Sequence, residues 1–407
     1  QLFAMQSNNF NFNFSDILKD VKDLNDYDVA MNDLYKKGIQ HLLNSEMSHL
    51  LGYDKHAIKG NNSGNSRNGS YGKKVKTSSG EIEVQIPRDR NSEFEPLIIP
   101  KGQTTTAKVE SVITSLYAKG MSTQDVADQI EQIYGLSVSK VFISDITNKM
   151  LPSIQEWQNR PLEPIYYITW MDCICFKIRQ DNRVISKSIY LVIGLKPDGF
   201  KEILGIWIAE TESASFWLSV LSELKDRGVK SILIACADNL TGFTSAIQAS
   251  FPDTVTQLCI VHQIRNSVKF VPWKDRKIFI ADLKEVYGAI NLQSALVAFE
   301  KFKTKWNSKY SYAIKSWEKN WDNLIPLFNY PPELRKIMYT TNTIEGVNRA
   351  IRKFTKTKTI FPNDNAALKS VFMAIDQIQS KWTKPIRDFG IIHNQILIIF
   401  DKFLENA

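Results

Sequence analysis

Three acids stand where chemistry would need them. Asp172 interrupts the apolar strand pattern IYYITWMDCICFKIR at 165–179 and shares its alternation face with Ile168, Trp170, Ile174 and Phe176. A carboxylate on such a face is costly to bury unless it meets a cation or a metal. Asp238 follows an apolar run, Ile232 to Cys236, that reads as a buried central strand. Ligands collect at the carboxyl ends of strands in open α/β sheets, so an acid there can reach a site; it can also simply cap the next helix, as Asn239 or Thr241 could. Glu345 has the same double reading. Asn342 and Glu345 fit a capping box, yet the helix also carries Arg349 and Arg352 near the Glu345 face. A carboxylate beside arginines at an acidic metal site suits a phosphodiester substrate.

The elements around these acids have a definite order. Strands are expected at 165–179, 183–196 and 200–210, joined by turns at Gln180-Asp181-Asn182 and Pro197-Asp198-Gly199. A helix at 213–227, the strand before Asp238, a helix at 242–251 and a short strand at 255–261 follow. This is the element order of an RNase H-like α/β domain. In such a sheet the first and fourth strands are neighbours, so Asp172 and Asp238 would meet. Their mutual repulsion is resolved by a divalent cation that accepts oxygens from both. Residues 263–335 read as an all-helical insertion rich in large aromatics, and a basic helix at 340–358 resumes the sheet domain.

The rest of the chain bounds the partner. Of 407 residues, 43% are hydrophobic and 23% charged, as in folded soluble proteins, and the net charge of +8 hints at a polyanion. No apolar run is long enough to span a bilayer, and no secretory signal is evident at the start. Four cysteines in strand-like apolar settings suit a reducing compartment, so a cytoplasmic location is expected, nucleoid-associated when on DNA.

Ahead of the acids, residues 1–58 read as a loose arm (1–26) and an amphipathic helix or helix pair, and 59–107 as a basic loop with a small β unit. The Gly-, Asn- and Ser-rich stretch 59–72 is either a linker or a loop that orders on phosphate. Arg67, Lys73, Lys74, Arg88 and Arg90 flank the hairpin as candidate phosphate contacts. Three short helices within 108–155 match a helix-turn-helix, with Lys140, Ser144 and Asn148 on the reading helix; an ordinary three-helix bundle is the plainer alternative. Trp157–Pro164 reads as a linker, 165–262 as the first part of the sheet domain, and 336–407 as its completion with a tail. The expected class is thus α/β: an RNase H-like catalytic domain with an all-helical insertion, preceded by a small α/β element and a helix-turn-helix DNA-binding region.

Several runs, in order, carry a resemblance. They include GNSRNG (64–69), EIEVQIPRDR (81–90), LYAKGMS (116–122), FWLSVLSELKDRGVKSILIACADNLTGF (216–243), QLCIVHQIRNS (257–267), YTTNTIEGVNRAIRK (339–353) and WTKPIRDFG (382–390). With these the chain resembles the bacterial Mutator-type transposases, an insertion-sequence family of the DDE class. The resemblance implies that Asp172, Asp238 and Glu345 form a catalytic triad binding two Mg²⁺ ions, with Mn²⁺ able to substitute. It implies that Arg349, Arg352 and Lys353 contact the DNA near the scissile phosphate. It also implies a C-x-x-H element, Cys259 and His262, read as structural or DNA-positioning because a structural zinc needs four ligands.

The function expected from all this is a metal-dependent polynucleotidyl transferase and endonuclease. It would bind terminal inverted repeats, cut 3′ ends and join them to target DNA, with a copy-out, paste-in route suggested by the family. Its partners would be double-stranded DNA and further copies of itself in a dimer or larger synaptic assembly, with no membrane and no small-molecule substrate. The rivals are a domesticated, non-catalytic DNA-binding regulator and a stand-alone RNase H-like nuclease or resolvase. The intact acids argue against the first, and the sequence-reading region against the second.

Overall fold

The computed structural model describes residue 19 and residues 21–60, 63–339 and 342–401. The expected loose arm lies mostly outside these residues. The chain divides into two compact units, one of residues 1–117 and 121–147, the other of 118–120 and 148–407.

The first unit opens with one long helix, α1 (Leu24–Leu51), rather than a pair. Asp23 caps its start by accepting from the Asp26 amide, and Gly52 ends it in the left-handed region at φ 76°. Only Ile39, Leu43 and Met47 are buried, at four-residue spacing, so a single stripe faces inward. Ile39 and Leu43 of that stripe cluster with Val75, Ile82, Val84 and Ile86 of the antiparallel strands β1 (Arg67–Thr77) and β2 (Gly80–Asp89).

Strand β1 begins earlier than its composition suggests. Residues 67–72, expected as loop, pair across to β2, with Tyr71 opposite Ile86. The ladder overrides the weak strand propensity of Gly and Asn, and Gly69 takes a positive φ of 74° where the register shifts between Arg67 and Ser70. Arg67 donates to Ser48 Oγ and the Tyr53 carbonyl, and Lys73 to the Pro100 carbonyl, whereas Lys74, Arg88 and Arg90 are exposed.

Asp89 ties the end of this hairpin to the turn after it. It is 3% exposed and accepts from Asn65 Nδ2 at 2.7 Å, the Glu93 amide at 3.0 Å and the Phe94 amide at 3.1 Å. Burial works against the charged form, but these donors outweigh it and leave the Asp89 pKa below its ordinary value. A depressed pKa gives stability that is present above the unfolded value and is lost as pH falls through the folded one. We therefore expect Asp89→Ala to cost about 3 kcal/mol in urea unfolding at pH 7. The difference from wild type should shrink only as pH falls below about 4. An unchanged midpoint at pH 7 would refute the role.

Helices α2 (Ala107–Ala118), α3 (Thr123–Tyr134) and α4 (Lys140–Asn148) follow. Ser122 and Asp125 form a reciprocal capping box on α3, and Gly135 closes it at φ 61°. Lys140 is exposed and Ser144 half-buried.

In the second unit, α5 (Leu151–Asn159) takes in Trp157, Gln158 and Asn159, expected as linker. Their side chains explain this: Trp157 packs edge-on against Phe372, and Gln158 Oε1 accepts from the Ile206 amide. A five-stranded sheet follows, made of β3 (Ile165–Gln180), β4 (Arg183–Leu195), β5 (Lys201–Ala209), β6 (Ser231–Ala237) and β7 (Val255–Leu258). Its order is β5-β4-β3-β6-β7. The first three strands are antiparallel, and β6 and β7 run parallel to β3.

Both faces of the sheet are covered. On one lie α6 (Ala214–Asp226) and α7 (Phe243–Ser250), with Trp217 fully buried and stacked on Phe243. The other face, with Trp170, Ile174 and Ile178, packs against the helices that follow β7. These are α8 (Ile260–Val268), α9 (Trp273–Tyr287), α10 (Leu292–Leu324), α11 (Pro332–Tyr339), α12 (Asn342–Thr355), α13 (Asp364–Gln379) and α14 (Phe389–Ile399). Helix α10 is kinked at Tyr310, whose φ and ψ are non-helical. Among the described residues no helix is long and apolar enough to cross a membrane.

Candidate active site

Register brings the first two acids together. Met171 of β3 pairs with Ala237 of β6 as the last match between these parallel neighbours. Asp172 and Asp238 are each the next residue, so they emerge side by side. Asp172 Oδ1 accepts from the Cys173 amide at 2.8 Å, and Oδ2 from Asn348 Nδ2 at 2.6 Å. Asp238 Oδ1 accepts from the Asn239 amide at 2.6 Å. Helix α7 starts only at Phe243, with Gly242 at its N-cap and no side-chain capping bond. Asp238, Asn239 and Thr241 are therefore not its caps.

Strand β7 is shorter than expected and stops at Leu258. The Cys259 amide bonds to the Ala237 carbonyl, and the Cys259 sulfur accepts from the His262 amide at 3.2 Å, capping α8. This places His262 in the first turn of α8, with Nδ1 3.5 Å from Asp238 Oδ1. Ligand atoms of Asp172, Asp238 and His262 all lie within 4.8 Å of one another.

The electrostatics follow from that crowding. Burial pushes the Asp172 pKa up to about 6; Asp238 adds to the rise, and His262, the Cys173 amide and Asn348 oppose it. The Cys259 sulfur raises His262 to about 9, with burial opposing and both aspartates adding.

The donor set fits a divalent cation. Two carboxylates supply hard oxygens of the kind Mg²⁺ and Mn²⁺ take, and an imidazole nitrogen is more congenial to Mn²⁺ than to Mg²⁺. A thiolate zinc site is a poor fit, because Cys259 is buried and serves as a helix cap outside the cluster.

Glu345 lines the same cleft but is not a member of that cluster. Arg265 holds both its oxygens, with N–O distances of 2.7 and 3.0 Å. The carboxylate is thus engaged across the cleft; the side chain of Asn342, its expected capping partner, lies outside the described residues. On α12, Ile344, Val347 and Ile351 are buried, while Glu345, Asn348, Arg349 and Arg352 line the cleft. Spacings of three, four and seven residues put these four on one stripe. Lys353 is exposed but does not line it, and Asn148 Oδ1 accepts from Lys369 at 2.7 Å.

The cleft measures about 690 Å³. Sequence reasoning missed Arg265 and Asn348 as its residues. Both were within reach of helical spacing: Arg265 lies one turn beyond His262, and Asn348 one turn beyond Glu345.

The fold and cleft define a mixed α/β protein that gathers two aspartates from neighbouring strands and a histidine from the first turn of α8, with a glutamate and several cations around them. The profile described as "Transposase, Mutator family" matches residues 5–385. A probable transposase for an ISRM3-like insertion sequence element from Sinorhizobium fredii is 38% identical, over 93% of this chain and 94% of its own length. The transposase of element ISRM3 from Rhizobium meliloti matches equally well, and that of IS905 from Lactococcus lactis is 32% identical over 92% of this chain and 93% of its own. The chain belongs to the Mutator family of transposases. It is accordingly a DNA-processing protein of a transposable element.

Proposed function

We propose that this transposase is a DDE enzyme with an RNase H-like catalytic domain. It binds the terminal inverted repeats of an insertion sequence, cuts at the 3′ ends and joins the freed 3′-hydroxyl to another phosphodiester. The observation that supports this best is the emergence of Asp172 and Asp238 side by side, each just past the last paired residues of the parallel strands β3 and β6, in one cleft with Glu345. The sheet order β5-β4-β3-β6-β7, with β6 and β7 parallel to β3, supports the RNase H-like reading.

Asp172, Asp238 and Glu345 would hold the metal. Bound Mg²⁺ or Mn²⁺ ions supply activation of the attacking hydroxyl and charge stabilisation on the leaving oxygen. Asn348 fixes the Asp172 carboxylate by donating to one of its oxygens. Arg349 and Arg352, exposed at the cleft, bind non-bridging phosphate oxygens and align the strand. His262, with Nδ1 3.5 Å from the same Asp238 oxygen that accepts from the Asn239 amide, helps to position that carboxylate.

The exposed Lys74, Arg88 and Arg90 of the hairpin and Lys140 and Ser144 of a helix-turn-helix built from α3 and α4 would contact the repeats. Arg67 and Lys73, bonded within their unit, would reach phosphate only with the donors those bonds leave over. Two ends must be held together for joining, so the working form is a dimer or larger synaptic assembly, and the route is copy-out, paste-in.

The test is strand transfer. The protein is mixed with a pre-cleaved end bearing its own repeat, a supercoiled plasmid and Mg²⁺ or Mn²⁺. Joined product that requires the ion and the authentic repeat is expected. Tight repeat binding with no joining under either ion would replace this reading with that of a regulator.

A further inference from the structure

A second cavity, of about 660 Å³, lies in the same unit away from the acids. It is built on the segment between α13 and α14, part of the run WTKPIRDFG to which the proposed chemistry assigns nothing. The Ile386 amide bonds to the Gly199 carbonyl and pins the segment to the turn before β5. Gly199 is at φ 83°, and a Cβ there would lie 2.6 Å from the Phe389 ring, so the seat is tight.

Five cations line this cavity: Lys201, Lys336, Lys381, Lys384 and Arg387. The carboxylates present are two, and both are engaged: Glu333 accepts from Gln395, and Asp388 pairs with Arg387 at 3.7 Å. Lys201 is the telling residue. Its ammonium is half-buried, sits 4.7 Å from the centre of the Trp382 ring, and has no carboxylate partner among the described residues. Burial lowers its pKa. A desolvated lysine with only an aromatic face for company is a cation that an anion would stabilise.

The cations come from three separate elements: the start of β5, helix α11 and the 381–388 segment. That spread suits a chain of phosphates better than a single one. Thr343, two residues before Glu345 on α12, also lines the cavity, which therefore adjoins the helix of the proposed active site.

We propose that this cavity is a second nucleic-acid site, which grips the phosphodiester backbone of a DNA strand running on from the cleft. The choice of DNA as the polymer rests on the function proposed above; the recognition of a phosphodiester chain does not.

The test measures binding in EDTA, so no catalysis is involved. Lys381, Lys384 and Arg387 are exposed and are reversed together to Glu. A control variant reverses three exposed lysines of α10, Lys301, Lys315 and Lys319, for the same change of net charge. The probes are fluorescein-labelled non-specific 30-mers, one duplex and one single-stranded. The first variant should bind at least about tenfold more weakly at 0.1 M salt, with the slope of log K against log salt reduced by about 2 to 3. The control should keep the wild-type slope. Loss on the duplex assigns the groove to double-stranded DNA, and loss on the single strand alone to a displaced strand. Equal effects from both variants, or from neither, overturn the proposal. Strand transfer by the wild type reports separately on the catalytic reading, so either can fail while the other stands.

Discussion

Asp238→Asn is expected to lower strand transfer by about 10³-fold or more while leaving the fold intact. The substitution keeps the shape and the oxygen that accepts from the Asn239 amide, but removes one of the two adjacent carboxylates of the cluster. Loss of a metal that contributes several kcal/mol of transition-state stabilisation translates to that factor. Asp172→Asn should behave alike in activity and differently in stability. Burial holds the Asp172 pKa near 6, above its unfolded value. A raised carboxylate pKa means that stability is full when the group is protonated and is lost as pH rises from about 4 to about 6. Asparagine removes that cost, so Asp172→Asn in EDTA at pH 7.5 should melt higher than wild type, by on the order of 1–2 kcal/mol. Stabilisation by added Mn²⁺ should disappear in both variants. Joined product within tenfold of wild type from Asp238→Asn would remove the aspartate pair from the mechanism.

Much of the sheet was legible because its signals are local and redundant. Alternation placed Asp172 on the face of Trp170 and Ile174, and the turn residues Asp181, Asn182 and Gly199 all take positive φ. The misread pieces are those decided by distant partners. Residues 67–72 are strand because β2 lies beside them, and Trp157 is helical because Phe372 and the Ile206 amide lie beside α5. The end of β7 turned on a cysteine acting as a helix cap, a residue type that cap rules do not favour. At the candidate site the acids stood out because a carboxylate on an apolar strand is unusual. Arg265 and Asn348 did not, because polar residues on a helix ordinarily face water, and only the tertiary arrangement turns them toward Glu345 and Asp172.

That arrangement makes Glu345→Gln the most discriminating single change. If Glu345 merely completed a capping box, glutamine would serve nearly as well, since both side chains fill that position. Activity would then stay within about threefold, with at most about 1 kcal/mol of stability lost. If Glu345 is the third acid, strand transfer should fall by about 10³-fold, because an amide is a poor ligand for a hard cation and lacks the charge. The ion pair with Arg265 complicates only the stability reading. Arg265 is 55% exposed, so the pair is worth at most about 1 kcal/mol. The same pair predicts a companion effect. Arg265 competes with a metal for the Glu345 oxygens, so Arg265→Ala should shift the Mn²⁺ concentration for half-maximal thermal stabilisation downward by about fivefold. Helix α12 should remain in place, held by Ile344, Val347 and Ile351, so repeat binding in EDTA should not change in Glu345→Gln. Glutamine at 345 that joins DNA at the wild-type rate would return this residue to its plain role at the head of a helix, and the third acid would have to be sought elsewhere in the cleft, with Glu212 on its wall the first to try.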